Sequence, residues 1–227
     1  MEINTMNISI LLAAGHGLRM NNETPKQFLK IKGKEIFKYS LETFLNNKNI
    51  DLIILCVDEN HMKWWEPFLN EYNSKKIVIC NGGENRLDSF LLSMKFLENL
   101  DLKMETKIIT HDIARPFVSS VLIDEHINLL DKHSIVNTIL PIADSIVYLD
   151  ENKKIEKYIS RDYTYKIQTP QSFLYKEFFN IDWSLVDKKF ATDICYLFFV
   201  SNIDIFNHIG SKNNIKITDK DDFEFFS

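Results

Sequence analysis

Apolar runs and amphipathic segments alternate along the first 140 residues of the chain. Each run is short and almost continuously apolar, which predicts strands that are buried on both faces. Between two of the runs, apolar residues from position 87 to position 97 recur at spacings of three and four, which predicts an amphipathic helix. Asp88 or Ser89 is expected to cap the start of that helix. The predicted strands span residues 8–14, 52–57, 77–80, 107–110 and 135–140, and weaker helical patterns lie at 37–44, 61–71 and 122–130.

Strands that alternate with helices predict an α/β fold, with a mostly parallel sheet and helices on both faces. In open sheets of this kind, ligands bind beyond the carboxyl ends of the strands. Functional residues are therefore expected in the loops that follow each predicted strand.

The alternation ends near residue 140. Residues 143–148 and 155–159 flank a polar stretch and predict a hairpin. A hairpin that projects from the sheet exposes its edges unless something covers them. We therefore interpret residues 138–168 as an arm that joins two copies of the chain in a homodimer. A strand at 215–218 and a helix from Asp219 complete the pattern, and the absence of a Pro/Gly-rich linker predicts one domain over residues 1–227.

Composition narrows the function. Of the 227 residues, 45% are hydrophobic and 26% charged, which is typical of a globular protein. The formal net charge of −5 argues against nucleic acid as a partner, so any anionic ligand needs a local cluster of cations. No run approaches the ~20 apolar residues of a membrane span. The run at 8–14 lacks the preceding positive charge of a signal peptide, so we expect a cytoplasmic protein without a membrane partner.

The first predicted strand leads into a loop that contains Gly15 and Gly17, followed by Arg19 and Lys26. Glycines let backbone N–H groups approach a phosphate chain closely, and the two cations add positive charge beside it. The loop lacks the Gly-Lys-Ser/Thr of a Walker A motif and the third glycine of a dinucleotide fingerprint. Taken alone, it is also typical of a tight turn with exposed cations.

Two further loops follow predicted strands. Residues 81–89, Asn-Gly-Gly-Glu-Asn-Arg-Leu-Asp-Ser, lead into a helix whose first N–H groups can bind an anion or a base, although plain connections look similar. In His111-Asp-Ile-Ala-Arg-Pro116, Asp112 is well placed to hold Mg²⁺ against phosphates. An ion pair between Asp112 and Arg115 is the structural alternative.

Two motifs lie in the last third of the chain. Gln168-Thr-Pro-Gln171 is preceded by Arg161, and Asn214-Ile-Lys-Ile-Thr218 places Lys216 between two isoleucines. In a strand, that lysine points away from its apolar neighbours, usually into solvent.

Taken in order, the five segments resemble the cytidylyltransferases that act on 2-C-methyl-D-erythritol 4-phosphate and on ribitol 5-phosphate. The matching patterns are AAGxGxRM…PKQF, GGxxRxxS, HDxxRP, QTPQxF and NIKxT, and the resemblance extends from about residue 8 to residue 226. It implies a Rossmann-like sheet, a homodimer joined through the arm, and Mg²⁺ or Mn²⁺ as cofactor. Asn21 departs from the glycine that family members often carry after the Arg-Met pair.

The resemblance also implies roles for individual residues. CTP would be bound by Ala13, Ala14, Gly15, Gly83, Glu84 and Ser89. The catalytic cations around its phosphates would be Arg19, Lys26 and Lys216, and Asp112 would hold the metal. The polyol phosphate would be bound by Arg115, Arg161, Thr169 and Thr192, with Arg161 supplied by the partner subunit.

The implied reaction is attack by an oxygen of the substrate's phosphate monoester on the α-phosphorus of CTP, with release of pyrophosphate. That oxygen is already largely ionised at neutral pH, so no general base is required. Catalysis then depends on positioning and on positive charge around the reacting phosphates.

Three positions favour ribitol 5-phosphate, the substrate used in teichoic acid or capsule synthesis. They are Thr110 before the His-Asp pair, Tyr165 before Gln168, and the Thr-Asp-Ile-Cys at 192–195. The Ala-Ala at 13–14 and the Ala-Arg-Pro at 114–116 are closer to the methylerythritol branch of isoprenoid synthesis. We expect a preference for ribitol 5-phosphate, with methylerythritol 4-phosphate as the alternative.

Two other classes of protein are possible. A sugar-1-phosphate nucleotidyltransferase has a longer GxGxR loop and would not predict the QTPQ or HDxARP motifs. A non-catalytic nucleotide-binding protein would be expected to lose Lys26, Asp112 or Lys216, and all three are present.

Overall fold

The structure is a computed structural model that describes residues 5–15, 24–72 and 74–226. Its strands are β1 (Asn7–Leu12), β2 (Lys30–Ile31), β3 (Lys34–Glu35), β4 (Leu52–Val57), β5 (Ile77–Asn81), β6 (Lys107–Asp112), β7 (Ile135–Pro141), β8 (Ile146–Leu149), β9 (Ile155–Ile159), β10 (Tyr165–Leu174) and β11 (Phe206–Ile209). Its α-helices are α1 (Ile36–Asn46), α2 (Met62–Tyr72), α3 (Arg86–Leu97), α4 (Ser120–Leu129), α5 (Tyr175–Phe178), α6 (Cys195–Val200) and α7 (Lys220–Phe226). Within these ranges, no helix combines the length and apolar character that crossing a bilayer requires.

The central sheet has seven strands in the order β11-β7-β10-β6-β1-β4-β5. Only β10 runs against its neighbours β6 and β7, and the other pairs in the sheet are parallel. The predicted mostly parallel α/β sheet is therefore confirmed. Because β1 lies between β4 and β6, the loops after these three strands meet at one edge of the sheet.

The two faces of the sheet are covered by different helices. Along β1, Ile8 and Ile10 pack on the face that also buries Phe90 of α3, while Leu11 packs on the face that buries Phe37 of α1. This alternation is the period of two that a strand imposes on its side chains. Both faces are apolar, which explains why the sequence runs are almost continuously apolar.

The five predicted strands are present, but three further features differ from expectation. β10 and β11 were not among the predicted strands, and residues 215–218 form no strand. That segment lies beside the loop after β6, where Ile217 N donates to Ala114 O (2.8 Å). The cap of α3 is Asn85, not Asp88 or Ser89, because the Asn85 side chain accepts a hydrogen bond from Asp88 N (2.9 Å).

The predicted hairpin is present as β8 and β9, which form a two-stranded sheet of their own. The ends of the proposed arm, however, belong to the central sheet: Thr138 pairs with Gln168, and Pro141 with Tyr165, within the β7–β10 ladder. The projecting part is therefore shorter than residues 138–168. Tyr158 on β9 is 70% exposed.

Candidate active site

A cavity of about 330 Å³ opens at the carboxyl ends of β1 and β6 and at the start of α3. It lies where the topology of the sheet predicts a ligand site. Eight residues singled out from the sequence line it: Ala14, Gly15, Lys26, Gly83, Glu84, Ser89, Asp112 and Lys216. Asn85, Arg86, Ala114 and Thr218 also line it and had not been assigned roles, although Arg86 is the arginine of the GGxxRxxS pattern.

The glycine pair after β5 allows its loop to pack against the loop after β1. A Cβ at Gly82 would collide with the side chain of Ala14, and one at Gly83 would collide with Asp88. Gly83 N donates to the Ser89 hydroxyl (3.1 Å), which holds the loop over the first turn of α3. Backbone groups of both loops can thus approach a bound nucleotide closely.

Ala13 does not line the cavity. Its side chain is buried on the α1 side of the sheet, its N–H donates to Cys56 O (2.8 Å), and its carbonyl accepts from Gln27 Nε2 (3.2 Å). It therefore supports the loop that carries Ala14 and Gly15. Its predicted contact with CTP stays a prediction.

Asp112 is the electrostatic centre of the cavity. One carboxylate oxygen, Oδ1, accepts from Arg86 Nε (2.8 Å), and the other, Oδ2, accepts from Lys216 Nζ (2.7 Å). Burial by itself raises the pKa of the Asp112 carboxyl, but the charges of Arg86 and Lys216 outweigh this and hold the pKa far below its ordinary value. The carboxylate is thus ionised, and the alternative ion pair with Arg115 is not formed.

Lys26 connects two of the predicted motifs. It lies in a short 3-10 turn after β1, and its Nζ donates to Ile217 O (2.8 Å) in the segment that carries Lys216. Both lysines line the same cavity although 190 positions separate them in the sequence. Arg19, the third predicted cation, lies outside the described residues.

His111 and Thr169 support Asp112 from behind. Burial lowers the pKa of His111 to about 4, so the imidazole is neutral at neutral pH. His111 Nε2 lies 3.0 Å from Arg115 O, which can only accept, so Nε2 carries the proton. The Thr169 hydroxyl therefore donates to His111 Nδ1 (3.0 Å) and accepts from Asp112 N (3.1 Å). This chain fixes the backbone from which the Asp112 side chain projects.

The four residues predicted to bind the polyol phosphate do not line the cavity in this single chain. The Thr169 hydroxyl is used by its neighbours, and Arg115 donates to Asn214 O (2.9 Å) and Ile167 O (3.2 Å). Thr192 is exposed on the loop before α6. Arg161 is exposed beyond β9, where its Nη1 donates to Ala143 O (3.0 Å). Their roles in substrate binding stay predictions.

The donor set suits a magnesium ion that is shared with phosphates. Among the described residues, no group of three or more His, Cys, Asp and Glu side chains could hold a metal by itself. Mg²⁺ in nucleotide sites is usually bound by one or two carboxylates, with phosphate oxygens and water completing six ligands. Asp112, ionised and facing the cavity, can supply that carboxylate.

The chain is similar to known proteins over nearly its whole length. A family model described as IspD, 2-C-methyl-D-erythritol 4-phosphate cytidylyltransferase, matches residues 7–226. A protein of that name from Thermosipho melanesiensis is 34% identical over 217 residues, which cover 96% of this chain and 94% of the relative. Another from Clostridioides difficile is 34% identical over 94% of this chain and 89% of the relative.

Solved structures agree with these relatives. The 4-diphosphocytidyl-2C-methyl-D-erythritol synthase of Anaerococcus prevotii superposes with a TM-score of 0.81 at 30% identity, covering 97% of this chain and 94% of that one. The 2-C-methyl-D-erythritol 4-phosphate cytidylyltransferase of Francisella tularensis gives a TM-score of 0.79 at 29% identity, covering 97% and 98%.

Proposed function

This chain belongs to the IspD family of cytidylyltransferases, and we propose that its substrate is 2-C-methyl-D-erythritol 4-phosphate. The observation that carries the proposal is the match of the family model for that activity over residues 7–226. The products would be pyrophosphate and the CDP ester of methylerythritol. The expected preference for ribitol 5-phosphate is not supported, since the relatives described above are named for the methylerythritol substrate.

Two of the residues that favoured ribitol are buried in the chain. Thr110 is buried within β6, and its hydroxyl donates to Gln171 O (2.8 Å) on β10. Cys195 is buried at the start of α6, and Tyr165 lies opposite Pro141 at the edge of the arm. Thr110 and Cys195 therefore pack inside this chain, whereas Tyr165 is exposed, and Thr192 of the same 192–195 pattern stays a predicted ligand of the polyol phosphate.

The cavity supports nucleotide binding at the start of α3. The first N–H groups of a helix and the glycine loop before it can bind the base or a phosphate. Gly83, Glu84 and Ser89 lie there, facing Ala14 and Gly15 of the β1 loop. The triphosphate would then extend toward Lys26 and Lys216, with Arg19 as a third cation.

The chemical step is an exchange at the α-phosphorus of CTP. A monoester oxygen of the polyol phosphate forms a new P–O bond while the bond to the leaving pyrophosphate breaks. Lys26 and Lys216 would stabilise the charge that accumulates on the phosphates and orient the leaving group. A divalent ion bound by Asp112 would offset further negative charge. His111 is buried and neutral, which supports a positioning role rather than a proton transfer.

A homodimer is part of the proposal. Arg161 lies in the arm, beyond the cavity of its own chain, and the exposed apolar side chains of β8 and β9 could be covered by a second copy. The second copy would bring its Arg161 to the polyol phosphate, while Thr169 and Arg115 would shape that part of the site from behind. Two chains would then build each complete site.

Parallel assays of the purified protein test the substrate. Pyrophosphate release would be followed with CTP and either methylerythritol 4-phosphate or ribitol 5-phosphate, each across a range of concentrations. We expect kcat/KM at least roughly tenfold higher for methylerythritol 4-phosphate, because a pocket that fits its methyl group discriminates by ~1–3 kcal/mol against a substrate that lacks it. A higher kcat/KM for ribitol 5-phosphate would reject the substrate but not the cytidylyltransferase activity.

A further inference from the structure

Asp112 is shared by two cations that are held very differently. Arg86 is the first residue of α3, and its side chain is 19% exposed. Lys216 belongs to the segment between β11 and α7, which forms neither helix nor strand there, and its side chain is 38% exposed. The two cations bind different oxygens of the carboxylate, so either one can leave without displacing the other.

When a nucleotide is bound, the Lys216 ammonium can pair either with Asp112 or with the phosphates. Its ammonium now lies on Asp112 Oδ2, whereas the proposed function requires it at the phosphates. Moving it would remove one of the two cations that compensate a buried carboxylate. Leaving a buried charge uncompensated is strongly unfavourable, so the exchange needs a second cation that stays in place.

Arg86 has the properties of that second cation. Its Nε donates to Asp112 Oδ1, and its Nη2 is buried without a hydrogen-bond partner among the described residues. Asp112 is therefore the contact that fixes the guanidinium in the cavity wall. Its charge does not depend on pH, and its planar guanidinium loses less side-chain freedom per hydrogen bond than an ammonium does.

We propose that Arg86 is a positioning residue, which keeps Asp112 anchored through Oδ1 while Lys216 transfers from Oδ2 to the phosphates of CTP. The vacated oxygen then faces the cavity and is available to a divalent ion. Binding of the nucleotide and binding of the ion would thus be coupled, and the coupling would depend on Arg86. This inference rests on the proposed function for CTP as the nucleotide, for Lys216 as a cation at its phosphates and for Asp112 as the ligand of the ion.

Coupled binding can be measured without the second substrate and without turnover. CTP would be titrated into the full-length protein by calorimetry, with and without Mn²⁺, and the electron paramagnetic resonance signal of free Mn²⁺ would report the ion directly. In the wild type, each ligand should raise the affinity for the other. In Arg86→Met, we expect this mutual enhancement to fall at least ~10-fold, since truncating one partner of a buried charge pair typically costs that much or more.

Three variants distinguish positioning from other roles. Arg86→Lys keeps the charge and should lose less of the coupling than Arg86→Met. In an Asp112→Asn background, Arg86→Met should change Mn²⁺-dependent CTP binding less than ~2-fold, because Arg86 would act through Asp112. Lys107→Met is the matched control: Lys107 begins β6 at the opposite end from Asp112 and pairs with Asp131, so the coupling should stay at the wild-type value.

Several outcomes would overturn the inference. If Arg86→Met keeps the mutual enhancement of CTP and Mn²⁺ binding at the wild-type value, Lys216 can leave Asp112 without a second cation in place. If Arg86→Met weakens Mn²⁺-dependent CTP binding as much in the Asp112→Asn background as in the wild type, Arg86 contacts a ligand directly. If Arg86→Met fails to fold, Arg86→Lys decides: partial loss of the coupling with an unchanged unfolding midpoint supports the inference, and coupling at the wild-type value opposes it. A wild type that binds no CTP would instead reject the proposed function.

Discussion

The cavity and the arm are both built on strand ends, but they are stabilised in opposite ways. In the cavity, charged side chains join segments that are far apart in the sequence, as Lys216 does with Asp112 and Lys26 with Ile217 O. In the arm, the hydrogen bonds join residues that are closer in the sequence, such as those from Lys154 N to Asp150 Oδ1, 4 positions apart, and from Arg161 Nη1 to Ala143 O, 18 positions apart.

The cavity is held together by contacts within one chain, whereas the arm leaves apolar side chains uncovered in one chain. Long-range contacts hold the cavity at the end of the sheet in a defined shape before any ligand binds. The arm exposes apolar side chains on both of its strands, among them Tyr148 (61%) and Ile155 (55%). A two-stranded hairpin by itself is only marginally stable in water, so the arm gains its fixed position from whatever covers it.

Removing the central charge of the cavity should have the largest effect. Asp112→Asn removes the buried carboxylate that Arg86 and Lys216 share, and because both cations are partly exposed to solvent we expect a loss of about 2 kcal/mol in stability. Turnover should fall by at least ~10³-fold and lose most of its dependence on Mg²⁺ or Mn²⁺. Steady-state assays across metal concentrations, with thermal unfolding in parallel, measure both. Activity that EDTA leaves untouched in the wild type would contradict the metal site.

Removing one peripheral cation should affect the reaction without the fold. Lys26→Ala is expected to lower turnover by about 100-fold, since one lost charge contact to the reacting phosphates costs ~3 kcal/mol in the barrier. Arg19→Ala should behave similarly. The unfolding midpoint should change little, because Lys26 lies at the wall of the cavity, where its Nζ donates to Ile217 O, and not in the apolar core. Near-wild-type turnover in both variants would refute the phosphate site.

The sequence predicted the buried strands well because continuous apolar runs have few other interpretations. β10 was missed because its sequence is polar and contains Pro170, features that argue against a central strand. The structure accommodates that proline where the β7–β10 register shifts between Gln168 and Ser172. Polar side chains there are paired internally, as Gln171 is with Asn137 (3.0 Å). Single-sequence patterns cannot reveal such partners.

The same limit applies to the cavity. The alternation at 215–218 correctly placed Lys216 and Ile217 on opposite sides, since Ile217 is fully buried and Lys216 faces Asp112. It wrongly implied a strand, because side-chain alternation does not require a ladder partner. Arg86 was visible in a motif, but its partner Asp112 lies 26 positions away, so its role emerged only from the geometry.

Between cavity and arm lies a buried histidine whose titration should affect stability. His126 bridges β7 and β10 through Thr138 (2.8 Å) and Ser172 (2.7 Å), near the base of the arm. Burial, with a contribution from His208 and His111, lowers the pKa of His126 to about 3. Between that value and about 6.5, the ordinary pKa of histidine, the unfolded state binds more protons than the folded state, so stability falls as the pH falls.

This site should contribute a loss of about 2 kcal/mol in unfolding free energy on going from pH 7 to pH 5. Denaturant unfolding at both pH values measures the difference, and His126→Gln, which removes the titrating group, should reduce it. An equal pH dependence in the wild type and His126→Gln would show that His126 does not contribute. His111, lowered to about 4, should add a second increment of the same sign.

Changes on the arm should have the smallest effect on the stability of one chain and still abolish the assembly. Ile155→Ser combined with Tyr158→Ser removes two exposed apolar side chains from β9, so the monomer's unfolding free energy should change by no more than about 0.5 kcal/mol. Light scattering at micromolar concentration should show a dimer for the wild type and a monomer for the double variant. Val121→Ser, an equally simple change at a 64% exposed site on α4, should remain dimeric.

If the arm completes the neighbouring site, inactive Lys26→Ala and Arg161→Ala chains should recover roughly a quarter of the wild-type activity when they are mixed and reassociated, because half of the dimers then contain one intact site. A wild-type monomer with full activity, or a mixture that stays inactive although its subunits exchange, would mean that each chain works alone and that the arm serves another purpose.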